Sequence, residues 1–560
     1  MGDHEMATNE ERKPCLKLEI EDDATVATRL YKKEEKKWGV PGAVLIVCLV
    51  SLPLLVIFCG GSFSSTLIWL RDVKVSVVKG LTHDSNQTST PINNYLDGLI
   101  PSDFNKSSCR SRFEWALLRR SSPHMPSSYL LQKLRNYEAL HKKCGPNTPL
   151  YKKSIEQLKS GHSVPLDCNY VVWIPINGLG NRILSLASTF LYAILTNRVL
   201  LIEMTNELDD LFCEPFPDTS WILPPDFPVK NLNQLNVNSD VTYGNMLNKH
   251  TISNDSNTTF ESLHSYVYAH IVEDYHNLDR MFFCNDDQIV LGKVNWLLLK
   301  SDLYFAPSLY KLPLFEEELH LLFPAKESVF HLLAHYLIHP TNDVWGLVKR
   351  YYNSYLAKAD EKIGIQVRVF SFTRVSSDVI LQQILDCSKL ESILPELDLN
   401  GTQAFKTNEQ KSKAILVVSL YAYYYEKIKS MYYEHSIKTG ELVSVYQPSH
   451  EETQNTGNQL HNKKALAEMY MLSLCDVFLT TGISTFGYVS YGLAGIKPII
   501  LMPIWNKKIP DLPCVRETSM ESCHLSPANP SCKGRTMDKE KVQQYVKQCP
   551  DKGAGIKLFD

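Results

Sequence analysis

Residues 169–203 read NYVVWIPINGLGNRILSLASTFLYAILTNRVLLIE. VVWIPI is the short apolar run of a buried strand, and RVLLIE is a second one. Between them NGLGNR supplies a glycine turn, and ILSLASTFLYAILT is an apolar pattern long enough for a helix. Strand, turn, helix and strand in this order make a βαβ unit, the building block of an open parallel sheet.

The same rhythm returns from residue 343. VWGLVKRYYNSYLAKA reads as a helix, KIGIQVRVF as a strand, residues 377–390 as a helix, AILVVS as a strand, YAYYYEKIKSMYYEH as a helix and ELVSVY as a strand. HNKKALAEMYMLSLC (helix), DVFLTT (strand), STFGYVSYGLAG (helix) and KPIILM (strand) complete the set. Alternation at this spacing predicts a second α/β block, and two blocks imply a cleft between them. Nearer the N-terminus, RSRFEWALLRR and SSYLLQKLRNYEALHKKC read as amphipathic helices.

The 560 residues, 44% hydrophobic and 21% charged, are enough for two or three domains with full cores. With 58 basic against 61 acidic residues, the chain has no global positive field for nucleic acid. Any anion it binds must meet a local site. From Trp38 to Leu70 no residue is charged, and VPGAVLIVCLVSLPLLVIFC reaches the roughly 20 residues that span a bilayer. Pro53 is tolerated in a lipid-embedded helix. A cleaved signal peptide fits less well, since the apolar run is too long and no A-x-A site follows. Arg29, Lys32, Lys33, Lys36 and Lys37 crowd its N-terminal flank, so the positive-inside rule leaves the N-terminus in the cytosol and the bulk of the chain across the membrane.

N-x-S/T sequons start at Asn86, Asn105, Asn254, Asn257 and Asn400, all beyond that segment. Of 14 cysteines, Cys15, Cys48 and Cys59 belong to the tail and the apolar run. The other eleven form no C-x-x-C pair and no His cluster joins them, which argues against zinc and for disulfides in an oxidising lumen. Cys475, in the apolar helix end LSLC, reads as a buried free thiol. The remaining ten are an even number and permit five bridges. Pairing is not deducible from spacing, but Cys514, Cys523, Cys532 and Cys549 are expected to secure the C-terminal segment.

Three places carry chemistry. In Asn177-Gly178-Leu179-Gly180-Asn181-Arg182, Gly178 and Gly180 allow a sharp turn and close approach of a ligand, the next helix offers free N–H groups, and Arg182 adds charge. The sequence is neither G-x-G-x-x-G nor a P-loop, and a plain strand-to-helix turn accounts for it equally. Arg368, at the end of IGIQVRVF, lies where parallel sheets place ligands, and its guanidinium fork matches a diphosphate. Its structural alternative is pairing with a surface acid. Thr480-Thr481-Gly482-Ile483-Ser484-Thr485-Phe486-Gly487-Tyr488 again joins strand to helix, with hydroxyls suited either to phosphate or to an ordinary N-cap.

These stretches, with SYVYAHIVEDYHNLDRMFFCNDDQ, NWLLLKSDLYFAPSLY and FHLLAHYLIHPTNDVWGLVKRYYNSYLAKADEKIGIQVRVF, resemble the plant cell-wall fucosyltransferases of the xyloglucan galactoside α-1,2-fucosyltransferase family, from about Cys109 to the C-terminal GIKLFD. The resemblance implies an α/β fold, a variant GT-B with two Rossmann-like domains preceded by one transmembrane helix. It implies a type II Golgi membrane enzyme with a lumenal catalytic domain, moving L-fucose from GDP-β-L-fucose to galactose with inversion. The expected layout is a tail over 1–37, an anchor over 38–60, a stem over 61–107, an acceptor-side domain over 108–340, a GDP-fucose domain over 341–510 and a disulfide-secured segment over 511–560.

Carried over by motif, Arg368 clamps the diphosphate and Ser484, Thr485, Phe486, Gly487 and Tyr488 line the donor pocket. Gly178, Gly180, Asn181 and Arg182 face it from the other domain, and His461 and Asn462 are weaker candidates. Asp302, in LLLKSDLYF, corresponds to an acid near the acceptor, as a base or an orienting group, or a structural acid beside Lys300. No D-x-D stands at a strand end, so the resemblance implies metal-independent transfer with no cofactor, basic groups replacing a divalent ion. The expected partners are GDP-fucose, a galactose-terminated polysaccharide or glycoprotein glycan, the Golgi membrane, and a homodimer or a complex with other Golgi glycosyltransferases. Ile483 and Tyr491 depart from residues usual in the family, Trp and Gln, beside the donor motif. The runner-up reading is a catalytically silent member that binds glycan or steadies a Golgi complex.

Overall fold

The computed structural model describes residues 95–560 apart from 102, 120, 254–257, 372–374, 400–410, 531 and 533–543. The expected tail, anchor and most of the stem lie outside these residues, as do the sequons at Asn86, Asn254, Asn257 and Asn400. Among the described residues no helix is long and apolar enough to cross a membrane.

The unit read from residues 169–203 forms as expected: β1 (Asn169–Ile174), α1 (Leu179–Leu195) and β2 (Arg198–Ile202), with β1 and β2 parallel. Two further strands, β3 (Tyr266–Ile271) and β4 (Trp296–Ser301), complete a parallel sheet of order β2-β1-β4-β3. Asp302 follows β4 directly, so it arrives at the same carboxyl edge as the glycine turn after β1.

The second sheet contains β5 (Glu361–Val367), β6 (Ser412–Ser419), β7 (Leu442–Tyr446), β8 (Val477–Thr481), β9 (Ile499–Leu501) and β10 (Cys514–Arg516), in the order β10-β9-β8-β5-β6-β7. All pair in parallel except β10, which runs antiparallel to β9 and carries the sheet past residue 510. The centre of the sheet is β8-β5-β6, buried on β5 from Ile363 onward and apolar there except for Gln366, whose Oε1 accepts from Thr480 Oγ1 (2.6 Å), as a strand covered on both faces must be. The helices used below are α2 (Val329–Leu337), α3 (Asn342–Tyr351), α4 (Ser377–Leu390), α5 (Tyr423–Glu434), α6 (Gln459–Leu472) and α7 (Thr485–Ala494).

Helix α1 explains how the two sheets are held. Nearly every residue from Leu179 to Ile194 is buried, because β1, β2 and β4 cover one side and α2, α6 and α7 the other. The hydroxyls of Ser188 and Thr189 donate to Leu184 O (3.1 Å) and Ser185 O (2.8 Å) in the preceding turn, so these polar groups are satisfied inside the core. Leu179 and Phe190 share one apolar cluster with Leu466, Met469 and Tyr488 from the second block. The two α/β blocks therefore meet through a common core.

Among the described residues five disulfides join Cys109 to Cys213, Cys144 to Cys168, Cys284 to Cys532, Cys387 to Cys514 and Cys523 to Cys549. Cys475 is free and buried. Of the four C-terminal cysteines, Cys532 reaches the first block and Cys514 reaches α4, while Cys523 and Cys549 close the segment on itself.

Candidate functional site

A cavity of about 280 Å³ opens at the carboxyl ends of β5 and β6. Its floor is Gln366 and Val367 at the end of β5 with Arg368 and Phe370 just beyond, and Val418 and Ser419 at the end of β6 with Leu420 just beyond. Gly178, Leu179, Gly180 and Asn181 close it from the first sheet, and Ile483, Ser484, Thr485 and Phe486 from the turn into α7. His461, Asn462, Lys464, Ala465, Glu468 and Met469 of α6, with the loop residues Ser449, Glu451, Gln454 and Thr456, form the remaining wall.

Two helix N-termini meet here. Neither α1, capped at Gly178, nor α7, capped at Ser484, has a side chain bonded to its first-turn N–H groups. Such ends carry partial positive charge and free donors, which suits an anion. The helices abut so closely that a Cβ on Gly180 falls 2.7 Å from Thr485 C and 2.8 Å from Phe486 N. Only glycine permits that approach. The Thr485 hydroxyl donates to Asn181 Oδ1 (2.8 Å), and Asn181 Nδ2 donates to Asp302 O (3.0 Å).

Arg368 adds full charge. Its backbone N–H donates to Thr481 Oγ1 (3.0 Å), which fixes the strand end, and its Nη2 donates to Gln454 Oε1. The guanidinium lies 5.7 Å from the Phe370 ring centroid. Burial pulls its pKa down from the usual guanidinium value, yet arginine stays protonated at any working pH. Among the described residues no carboxylate forms a salt bridge with it.

The other expected residues fall in two sets. Gly178, Gly180, Asn181, Arg368, His461, Asn462, Ser484, Thr485 and Phe486 line the cavity. Arg182 does not: its side chain is buried beside the cavity wall with Nη2 3.2 Å from Glu207 Oε1, a pairing forced by its position one turn into a buried helix. Gly487 packs under Thr480 and Gln366, and Tyr488 is buried with its hydroxyl donating to Asp551 Oδ2 (2.6 Å). Both support the α7 turn from behind. Asn462 is 1% exposed, and its Nδ2 donates to Glu207 O (3.1 Å) and Thr456 O (3.0 Å), which pins the loop to the helix.

Asp302 also lies behind the wall. Its Oδ2 accepts from Asn177 Nδ2 (2.6 Å), while Oδ1 is buried without a partner among the described residues. Burial pushes its pKa up to about 6 against that hydrogen bond. Through Asn177, which sits at φ 65°, and through Asn181, Asp302 holds the glycine turn in place. The sequence left out the Ser449–Thr456 loop and Glu468, because ALAEMY reads as an ordinary helix and nothing local marks its acid as buried. Among the described residues the one cluster of metal-type side chains is Cys523, Cys549 and Asp551, whose two sulfurs are joined in a disulfide.

Two largely parallel sheets with an arginine and two helix ends directed into the cavity between them define an α/β protein whose cavity is suited to a phosphorylated ligand. Residues 70–533 match the family described as xyloglucan fucosyltransferase. The galactoside 2-alpha-L-fucosyltransferase of Pisum sativum is 48% identical over 83% of this chain and 82% of its own length, and that of Arabidopsis thaliana 49% identical over 84% of each. The structure of an Arabidopsis thaliana FUT1 point mutant in complex with GDP superposes with a TM-score of 0.76 at 49% identity, covering 83% of this chain and all of that one. The chain belongs to the xyloglucan fucosyltransferase family.

Proposed function

We propose that the chain transfers L-fucose from GDP-β-L-fucose to a galactose residue, forming an α-1,2 linkage with inversion. The observation that carries this is the convergence of Arg368 with the free N-termini of α1 and α7 in one cavity. Departure of GDP leaves negative charge on the diphosphate, and preorganised N–H dipoles with a guanidinium stabilise it without reorganisation. That charge set is the reason for proposing a metal-independent reaction with no cofactor. The two sheets are read as a variant GT-B pair, with the β5–β10 half holding the donor and the β1–β4 half meeting the acceptor.

In this reading Asp302 acts on the acceptor side, where its buried Oδ1 receives or orients the galactose hydroxyl once the acceptor is seated. A pKa of about 6 leaves it mostly ionised at neutral pH, as a base requires. The acceptor class is a wall glycan such as xyloglucan or arabinogalactan, and the setting is the Golgi lumen, reached through a type II anchor at 38–60. The five disulfides favour such an oxidising compartment. The test is transfer of labelled fucose from GDP-fucose to a panel of galactosides by the purified chain, with and without chelator. Transfer abolished in Arg368→Ala supports the proposal. A folded protein that turns over GDP-fucose on no galactoside sinks it and leaves a silent glycan-binding member.

A further inference from the structure

A second recess, of about 50 Å³, opens beside the first cavity at the carboxyl ends of β5, β8 and β9. Arg368, Phe370 and Ile483 line both, so the two are continuous around the guanidinium. Beyond these three the walls are mainly apolar, with Leu501, Ile504 and Trp505. The polar groups of the recess are already used: Gln383 Nε2 donates to Met502 O (2.7 Å) and Pro513 O (2.8 Å), and Thr481 Oγ1 accepts from Arg368 N (3.0 Å). Apart from Arg368, no charged side chain among the described residues lines it. With Arg368 given over to a diphosphate, such a recess suits a neutral ligand that has an apolar face.

Trp505 stands at the rim and is 66% exposed. Its backbone is fixed from both sides. Ile504, just before it, is buried in the apolar cluster that includes Ile380 and Leu501. Just after it, Lys508 N donates to Trp505 O (3.1 Å) across a turn whose central residues, Asn506 and Lys507, stand at φ 53° and 58°. Positive φ at both central positions is the pattern of a type I′ turn. The turn therefore holds an indole out in water, where it forgoes the apolar burial that a ligand could supply.

A pyranose ring has a face on which axial C–H groups gather while its hydroxyls point outward around the rim. That face packs on an indole as apolar surface and leaves the hydroxyls in water. Two sugars come near the diphosphate during transfer. The donor's fucosyl ring is the end of the donor molecule, whereas the surface at Trp505 runs out into solvent. An acceptor glycan continues in just that way: its galactose has to approach the diphosphate end, and the sugar to which the galactose is attached trails outward.

We propose that Trp505 and the recess beside it form an acceptor subsite, in which the neutral pyranose adjoining the reacting galactose lays its C–H face on the indole. The inference rests on the acceptor reading given above and adds where the next sugar of the glycan is held.

The test compares methyl β-galactoside with a galactose-capped oligosaccharide as acceptors for the full chain, Trp505→Ala and Trp505→Phe. Packing on an aromatic face is worth about threefold to tenfold in affinity. The native chain is expected to show the lower KM for the oligosaccharide. Trp505→Ala should raise that KM by about threefold to tenfold with little change in kcat, and move the KM values for methyl β-galactoside and GDP-fucose less than about twofold. Trp505→Phe, which keeps an aromatic face, should recover most of the difference. A native oligosaccharide KM in Trp505→Ala overturns the inference. An equal rise for both acceptors, or a rise for GDP-fucose, also overturns it and gives the recess to the transferred fucosyl ring. Binding is read separately by acrylamide quenching of tryptophan fluorescence, taking the difference between the native chain and Trp505→Phe as the signal of Trp505. The oligosaccharide should shield that signal and methyl β-galactoside should not. A folded chain that transfers no fucose but shows this shielding loses the transferase reading and keeps the subsite, and absence of shielding overturns the subsite whether or not transfer occurs.

Discussion

Thr485 donates its hydroxyl hydrogen to Asn181 Oδ1 at 2.8 Å, tying the first turn of α7 to the first turn of α1. Because Asn181 also donates to Asp302 O, one side chain links the β4 end of the first sheet to the anion-facing end of the second. Asn181→Ala removes both bonds while leaving the core untouched. At about 1 kcal/mol each, their loss predicts a fall in kcat/KM for fucosyl transfer of about tenfold to thirtyfold, with melting lowered only slightly. Steady-state kinetics beside a thermal melt checks this. An unchanged kcat/KM would mean that the link is only packing.

Gly180 tests the same junction from the backbone side. Its would-be Cβ meets Thr485 C and Phe486 N, atoms of a helix that cannot turn aside as a side chain can. Gly180→Ala therefore has to push α7 away from α1. The expected cost is about 1–3 kcal/mol of stability, with GDP affinity lost in parallel. Gly178→Ala is the control: the nearest atom to its Cβ is Gln454 Nε2 at 3.3 Å, the end of a flexible side chain. It should melt close to the native protein.

Much of this was legible in the sequence. Residues 169–203 marked the βαβ unit because buried strands and a helix of that length leave an apolar pattern no loop imitates. The strand-end positions of Arg368 and Ser484 followed from the same alternation. What could not be read was direction within a buried helix. Arg182 shares the turn with Asn181, yet a rotation of 100° per residue sends one side chain to the cavity and the other to Glu207. Glu468 was hidden for a related reason, since a single acid in ALAEMY carries no local sign that Ser449, nineteen residues earlier, will meet it.

Arg368 carries the largest expected effect. The guanidinium holds Gln454 and forms no salt bridge with a described carboxylate, so its charge is available to a ligand. Arg368→Ala should weaken GDP binding about tenfold to a hundredfold, the worth of one or two charge-assisted bonds. Arg368→Lys keeps the charge but loses the planar fork, and should recover only part of that loss. Calorimetric titration with GDP distinguishes the three proteins, and equal affinities would remove Arg368 from the donor site.

Asp551 makes a prediction about strain. Ile483 stands at φ 63°, a left-handed conformation that disfavours a β-branched residue by about 1–2 kcal/mol. What holds it there is Asp551 Oδ2, which accepts from Ile483 N (2.7 Å) and from Tyr488 OH (2.6 Å). Asp551 is 4% exposed and lies two residues past Cys549, so the Cys523–Cys549 bridge sets its position. Asp551→Ala frees the turn to relax and should lower GDP affinity severalfold although residue 551 lies outside the cavity wall. Ile483→Gly in the Asp551→Ala background should restore part of it, since glycine adopts that turn without strain. Failure of the second change to restore any affinity would show that strain at Ile483 is not what Asp551 opposes.

The buried acid Glu521 predicts how stability depends on pH. Its carboxyl accepts from Tyr304 OH and Phe330 N, both at 2.6 Å, but burial outweighs them and pushes its pKa up to about 8. In the unfolded chain a glutamate titrates near 4.3. Between these values the folded protein holds a proton that the unfolded chain has released, so folding takes up a proton and stability falls as pH rises. The contribution is complete below about pH 4, declines through neutrality and is gone above about pH 8. Melting temperature should therefore drop steadily from pH 6 to pH 8 and flatten beyond. Glu521→Gln cannot ionise and keeps an acceptor for either donor, so its melting temperature should fall less steeply over that window. Glu468, also pushed up to about 8 by burial, adds a slope of the same sign to both proteins and leaves the difference between them to Glu521. Parallel slopes for the native protein and Glu521→Gln would mean that Glu521 is ionised in the folded state.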